Sequence, residues 1–188
     1  DGNKTLKVSE HSFFLCQNSV DDRRTNLYLG RNLNYSEESP FKLERSIKSL
    51  IIGDSVTNIN DRMFYQCFDL EKVTIGNNVV RVGNGAFFSC ALSDITIPNS
   101  VTYLGDSVFM GTDLKSITLP DGLTRIANHA FHHCYFLQSV IIPNGVTSIG
   151  DRAFSDCSSL IYNVKDNLKY LGNYQNKYLY LAGTTSTS

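Results

Sequence analysis

Apolar and polar residues return along this chain with a long, nearly fixed period. Around one phenylalanine per period lies a common apolar frame, seen ahead of Phe154 as Leu137, Val140, Ile142, Val146 and Ile149. A period of this length is typical of a solenoid in which each repeat forms one coil. Successive spacings are 23, 23, 22, 22 and 23 residues for the column Phe41, Phe64, Phe87, Phe109, Phe131 and Phe154.

A single repeat of this kind is too small to fold alone. Ordering some 22 residues costs on the order of 30 kcal/mol, while about seven buried apolar side chains return only roughly 10–20 kcal/mol. Stacking supplies the difference, because equivalent positions then form continuous internal ladders. We therefore expect the phenylalanine column to be buried, together with the cysteines that follow it by three residues, Cys67, Cys90, Cys134 and Cys157.

Each repeat has a short strand, two corners and little room for helix. Val73-Thr74-Ile75 alternates in the manner of a strand with threonine outward, and equivalent strands should pair in parallel. Pro98-Asn99 ends such a strand, and Ile149-Gly150-Asp151 forms a second corner. The Ala-Phe segment is too short for more than one helical turn. The pattern predicts a repeat solenoid of mostly β and coil with single helical turns.

The repeats occupy residues 27–159, and both flanks belong to the same domain. Residues 1–26 hold a partial repeat, in which Val8, Phe13 and Cys16 keep the spacing, followed by an insertion. Residues 160–188 hold a shortened repeat, an extra strand near 177–181 and a polar tail. A terminal strand without a polar cap leaves an open edge, so we expect the natural protein to continue with more repeats.

Charge and hydropathy exclude two classes of partner. The 17 basic and 18 acidic residues give a formal net charge of −1, which offers no electrostatic basis for binding nucleic acid or an anionic membrane. No apolar run approaches the roughly 20 residues of a membrane span, so no transmembrane segment is predicted.

The frame resembles the BspA-like leucine-rich repeat proteins over nearly the whole chain. The resemblance rests on Ala153-Phe154-x-x-Cys157 and its copies, with support from the 27–33 and 167–173 segments. It implies a right-handed array of 22–23-residue units in a secreted or surface-exposed bacterial protein associated with adhesion, without cofactors or catalytic residues. Glu44 and Thr112 stand where the family pattern has cysteine, so packing should be irregular there.

The cysteines are expected to be free. Adjacent rungs of a parallel sheet lie about 4.8 Å apart, and parallel side chains keep their Cβ atoms at a similar distance, whereas a disulfide needs roughly 3.8 Å. The sequence therefore predicts small buried hydrophobes.

Three of the four histidines cluster in the 129–134 segment. His129, His132 and His133 align with Arg152, Ser155 and Asp156 of the next repeat, polar positions that should face solvent. We expect a solvated patch and no metal site, with a surface site formed by His129 and His132 as the alternative.

No common enzyme motif is present. The chain has no G-x-S-x-G, H-E-x-x-H or P-loop pattern. A polysaccharide-cleaving parallel β-helix is the remote alternative, because its coils have a similar period. Such an enzyme needs ionisable groups on one face, but the outward strand column contains Ile51, Thr74, Thr96, Thr118 and Ile141, which do not transfer protons at neutral pH.

The leading functional hypothesis is an extracellular or cell-surface binding module for a protein or glycoconjugate, and the alternative is a structural spacer. A second outward column, with Arg81 and Arg125 on either side of Tyr103, favours binding, because arginine and tyrosine are enriched at interface hot spots. Ordinary solvated side chains would give the same pattern, so this column does not decide between the hypotheses. The candidate contact residues are Tyr28, Thr74, Thr96 and Thr118 on the strand column, and Arg81, Tyr103 and Arg125 on the adjoining one.

Overall fold

The computed structural model describes residues 25–35, 38–165, 168–171 and 179–184. Its coils form a parallel β-solenoid of about five turns, and the described residues contain no helix. The predicted solenoid is confirmed. The expected N-terminal partial repeat, with Cys16, and the polar tail lie outside the described residues.

Each repeat contributes up to two short strands to two sides of the solenoid. The first side is formed by β1 (Thr25–Leu29), β2 (Ile47–Ile52), β4 (Lys72–Thr74), β7 (Ser116–Thr118) and β9 (Ser139–Ile141). The second side is formed by β3 (Asn58–Ile59), β5 (Arg81–Val82), β6 (Tyr103–Leu104), β8 (Arg125–Ile126) and β10 (Ser148–Ile149). All neighbours pair in parallel, as β1-β2-β4 and β7-β9 on the first side and β3-β5-β6 and β8-β10 on the second.

The phenylalanine column forms the centre of the core, as predicted. All six rings are buried, and successive ring centroids lie 5.2–5.8 Å apart in stacked pairs. The inward residues of the first strands, such as Val73, Ile95 and Ile117, are also buried, while Thr74 and Thr118 point outward. The alternation of each strand therefore sets which residues reach the surface.

The cysteine column is buried and free, and its thiols are hydrogen-bonded. Each Sγ donates to the carbonyl oxygen of the phenylalanine in the preceding repeat, at 2.9–3.1 Å, for Cys67, Cys90, Cys134 and Cys157. Thr112 instead donates to Phe109 O of its own repeat at 2.8 Å. The carboxylate of Glu44 accepts from the Ser46 N–H at 2.8 Å. These two rungs therefore depart from the common bonding pattern, as the sequence suggested.

The segment around each phenylalanine forms successive single turns because two residues per repeat have a left-handed backbone. Around Phe64 these are Arg62, with φ of 55°, and Gln66, with φ of 58°. A left-handed residue does not continue a right-handed helix. Alternate N–H groups therefore reach the next repeat, as from Phe64 N to Ala86 O at 2.9 Å.

A ladder of aspartate and asparagine side chains joins the repeats at the second corner. The Oδ1 atom of one residue accepts the backbone N–H of the equivalent residue in the next repeat at 2.9–3.1 Å. This ladder satisfies corner N–H groups that the strands leave unpaired. It runs through Asp61, Asn84, Asp106, Asn128 and Asp151.

Strand pairing on both sides is interrupted between the repeats that carry Tyr103 and Arg125. The residue before the corner side chain is glycine at Gly83, Gly105 and Gly150, where an added Cβ would lie 2.5–2.7 Å from backbone atoms of the preceding repeat. Ala127 takes this position after β8 and carries the Cβ that those glycines lack. Strands β6 and β8, on either side of this position, do not pair.

The chain leaves the parallel coil at its C-terminal end. Strands β11 (Asn163–Lys165), β12 (Leu168–Leu171) and β13 (Leu179–Thr184) pair antiparallel in that order. The shortened repeat expected over this part of the chain stays a prediction, and the described strands there pair antiparallel. The extra strand near 177–181 is present as β13 over its described part.

Candidate binding surfaces

The strand column lies on the outer face of the first side of the solenoid. Register pairs Tyr28 with Ile51 and Ile51 with Thr74, and an isolated bridge joins Thr74 to Thr96. Thr118 pairs with Ile141 beyond the interruption. All six side chains are exposed, with Tyr28 at 62% and Ile141 at 63%. The predicted outward orientation is confirmed, and the column consists of threonines between apolar ends.

The ring of Tyr28 packs against two glycines, which have no side chain to displace it. A Cβ on Gly30 would lie 2.9 Å from Tyr28 Cε1, and one on Gly53 would lie 2.5 Å from Tyr28 Oη. The ring therefore lies across two adjacent repeats. The sequence analysis did not predict this packing, although glycine follows the strand in both repeats.

The arginines of the second outward column interact with neighbouring side chains of the solenoid. The Arg81 guanidinium lies 4.1 Å from the Tyr103 ring centroid and forms a 2.9 Å ion pair with Asp61. Arg125 lies 3.4 Å from Asp106 and stands on the other side of the interruption. The structure therefore brings Arg81 and Tyr103 together and does not bring Arg125 to them. It also places this column on different strands from the threonines.

A polar cleft lies beside the second column and was not predicted. Its volume is about 540 Å³, and its walls include Tyr35, Lys42, Asp61, Arg62 and Arg81. The Tyr35 hydroxyl donates to Asp61 O at 2.8 Å, and burial raises the pKa of this phenol. The cleft joins residues from three consecutive repeats, which no local sequence motif reveals.

The histidine cluster differs from the expected solvated patch. His129, His132 and His133 are all partly buried, and the His132 side chain is only 12% exposed. The residues drawn together are His132, His133 and Asp156, rather than His129 and His132 alone. His133 and Asp156 hold equivalent positions in adjacent repeats, and this alignment is the sequence signal that indicates their proximity.

The described residues define a β-solenoid repeat protein, and among them no helix could span a membrane. A model of the BspA type leucine rich repeat region matches residues 2–70 and 57–181, with 6 copies. The chain belongs to this family.

Solved structures of bacterial leucine-rich repeat proteins have the same fold. One from Bacteroides ovatus is 27% identical with a TM-score of 0.66, over 72% of this chain and 38% of that one. A leucine rich cell surface protein from Faecalibacterium prausnitzii is 26% identical with a TM-score of 0.61, over 84% and 56%. The chain thus spans less than two thirds of the length of either. No curated protein shows significant similarity to it.

Proposed function

We propose that this chain is a non-enzymatic binding module of an extracellular or surface-exposed protein, and that its strand column contacts a protein or glycoconjugate. The observation that carries the proposal is the registered row of exposed side chains from Tyr28 through Thr96. Family membership supports it, as does the similarity to a cell surface protein of Faecalibacterium prausnitzii.

The chemistry of the column suits an extended or repetitive ligand. Threonine hydroxyls donate and accept hydrogen bonds, and their small size leaves the sheet accessible. Rungs about 4.8 Å apart repeat the same contact, which raises avidity without any single strong bond. Tyr28 and Ile51 add exposed apolar area at one end of the column, where the Tyr28 ring packs against two glycines.

The spacer hypothesis is favoured by the ion pairs of the second column. Arg81 and Arg125 each have an acidic partner in the preceding repeat, so they join the repeats to one another. A ligand for these groups must compete with Asp61 and Asp106. Because of this competition, we propose that the ligand contacts mainly the threonines. A Tyr103→Ala variant tests separately whether the second column takes part in binding.

A binding screen against matrix proteins, mucins and glycans tests the proposal with one matched pair of variants. Thr96→Arg places a long charged side chain in the middle of the column, whereas Thr124→Arg makes the same change at an exposed position outside it. We expect Thr96→Arg to weaken binding at least tenfold, or by about 1.4 kcal/mol, with an unchanged melting temperature. Thr124→Arg should bind like the parent.

Other outcomes contradict the proposal in distinguishable ways. If Thr96→Arg and Tyr103→Ala both bind like the parent, the contact lies away from both columns. If only Tyr103→Ala is impaired, the second side carries the contact. A parent that binds none of the probes supports the spacer.

A further inference from the structure

We propose that His132, His133 and Asp156 form a binding site for a zinc-class divalent ion between two adjacent repeats. Nδ1 of His133 lies 3.4 Å from Asp156 Oδ2, and Nδ1 of His132 lies 3.6 Å from the same oxygen. One ligand atom from each of the three residues can be chosen so that all lie within 4.8 Å of one another. Two imidazoles and one carboxylate are a ligand set that suits zinc.

The distances from Asp156 Oδ2 to the two imidazoles fit a single small ion. Ligands about 2.0–2.2 Å from a tetrahedral zinc lie about 3.3–3.6 Å from one another. The two distances to Asp156 Oδ2 match this range before any side chain moves. Water would complete the coordination, because the Asp156 carboxylate is 56% exposed.

The backbone brings the two repeats that carry these ligands close together. His133 and Asp156 occupy equivalent positions, two residues after Phe131 and Phe154, and both have a left-handed backbone with φ of 60°. The His133 N–H donates to Ser155 O at 3.0 Å, which fixes the separation of the two repeats at this point. The His132 and His133 rings stack with centroids 3.7 Å apart, so both imidazoles reach the same carboxylate.

Two contacts compete with the ion. Nδ1 of His132 lies 3.0 Å from Ser155 O, and Nδ1 of His133 lies 3.0 Å from the Tyr135 hydroxyl. Each is a single hydrogen bond, so the ion has only one contact to replace at each nitrogen. Zinc binding replaces them with coordinate bonds that join the 131–134 and 154–157 segments. The ion therefore stabilises the stacking of these two repeats.

Titration calorimetry of zinc chloride into the metal-free chain tests the site, using a Cys16→Ser background to remove the cysteine outside the described residues. His133→Asn and Asp156→Asn each remove one ligand, and asparagine tolerates a left-handed backbone. His129→Asn is the matched control, since His129 has φ of 54° and lies beside the cluster without belonging to it. Magnesium and calcium, which prefer oxygen ligands, test the selectivity.

The parent and His129→Asn should bind one zinc ion and melt at a higher temperature in its presence, while magnesium and calcium produce no shift. Each ligand variant should lose at least about tenfold in affinity, since even an outer-shell partner is worth roughly 10–100-fold. The site is wrong if zinc does not bind the parent, or if both ligand variants bind zinc like the parent. Loss of binding in His129→Asn comparable to that in the ligand variants would instead assign the ion to His129 and His132.

Discussion

Replacement of Phe109 by alanine removes a ring from the middle of the aromatic stack. The Phe109 ring is fully buried, with Phe87 at 5.8 Å on one side and Phe131 at 5.7 Å on the other, so both of its faces are covered. Burying a phenylalanine is worth about 1.5–3 kcal/mol. The cavity left behind raises the total cost to about 3–5 kcal/mol. Loss of two aromatic neighbours favours the upper part of this range.

Denaturant melts followed by circular dichroism and by tyrosine fluorescence measure this loss, and agreement between the two probes tests whether the repeats unfold together. A cost of 3–5 kcal/mol corresponds to a fall in melting temperature of about 6–20 °C for a chain of this size. Phe136→Ala is the control, because Phe136 is 55% exposed and its loss should cost well under about 1 kcal/mol. Equal and small losses at both positions would show that the phenylalanine column does not carry the stability.

Three further predictions concern the contacts between repeats, each measured as the free energy of unfolding. Gly83→Ala should cost more than about 2 kcal/mol, because the new Cβ would lie 2.5 Å from a backbone atom of the preceding repeat. Gly85→Ala is the control: its new Cβ has room, and the cost is limited to the strain of a left-handed backbone with φ of 57°, about 1 kcal/mol. Equal costs would contradict the close approach at the corner. Asn84→Ala removes the acceptor for Asp106 N–H and should cost about 1–2 kcal/mol, and no loss would mean that water replaces this bond freely. Burial raises the pKa of Cys67 and Cys157 from 9.0 to about 12, so the unfolded state releases these protons first and stability should fall between about pH 9 and 12. A Cys67→Ala, Cys157→Ala double variant with the same alkaline slope as the parent would exclude these thiols as the cause.

Sequence periodicity was sufficient to predict the solenoid and its inward and outward positions. A column such as Phe64, Phe87 and Phe109 recurs every 22 or 23 residues because each repeat adds one coil to the solenoid. Alternation at Val73-Thr74-Ile75 then decides which residue of the strand is exposed. These features depend on the number of residues between equivalent positions, which the sequence gives directly.

Features that depend on contacts between repeats were harder to predict. Ala127 differs from the equivalent glycines by one methyl group, yet strand pairing stops beside it. The Asp61–Arg81–Tyr103 contacts and the approach of His132 to Asp156 join residues from different repeats through rotamers that no spacing rule fixes. The antiparallel pairing of β11, β12 and β13 departs from the parallel period, and no strong turn motif in the sequence indicates it.

The buried phenylalanine and cysteine columns determine which residues of each repeat face outward. The most direct measurement is therefore the reactivity of the cysteines. Mass spectrometry reads it site by site after treatment with a thiol reagent. Cys67, Cys90, Cys134 and Cys157 are buried, each Sγ donates to a phenylalanine carbonyl, and burial raises the pKa of Cys90 well above 9.0. At neutral pH all four should remain unlabelled in the native protein over the time in which the denatured chain reacts completely. Rapid labelling of native Cys90 and Cys134 would show that this side faces solvent, and the assignment of the threonine column to the outer surface would fall with it.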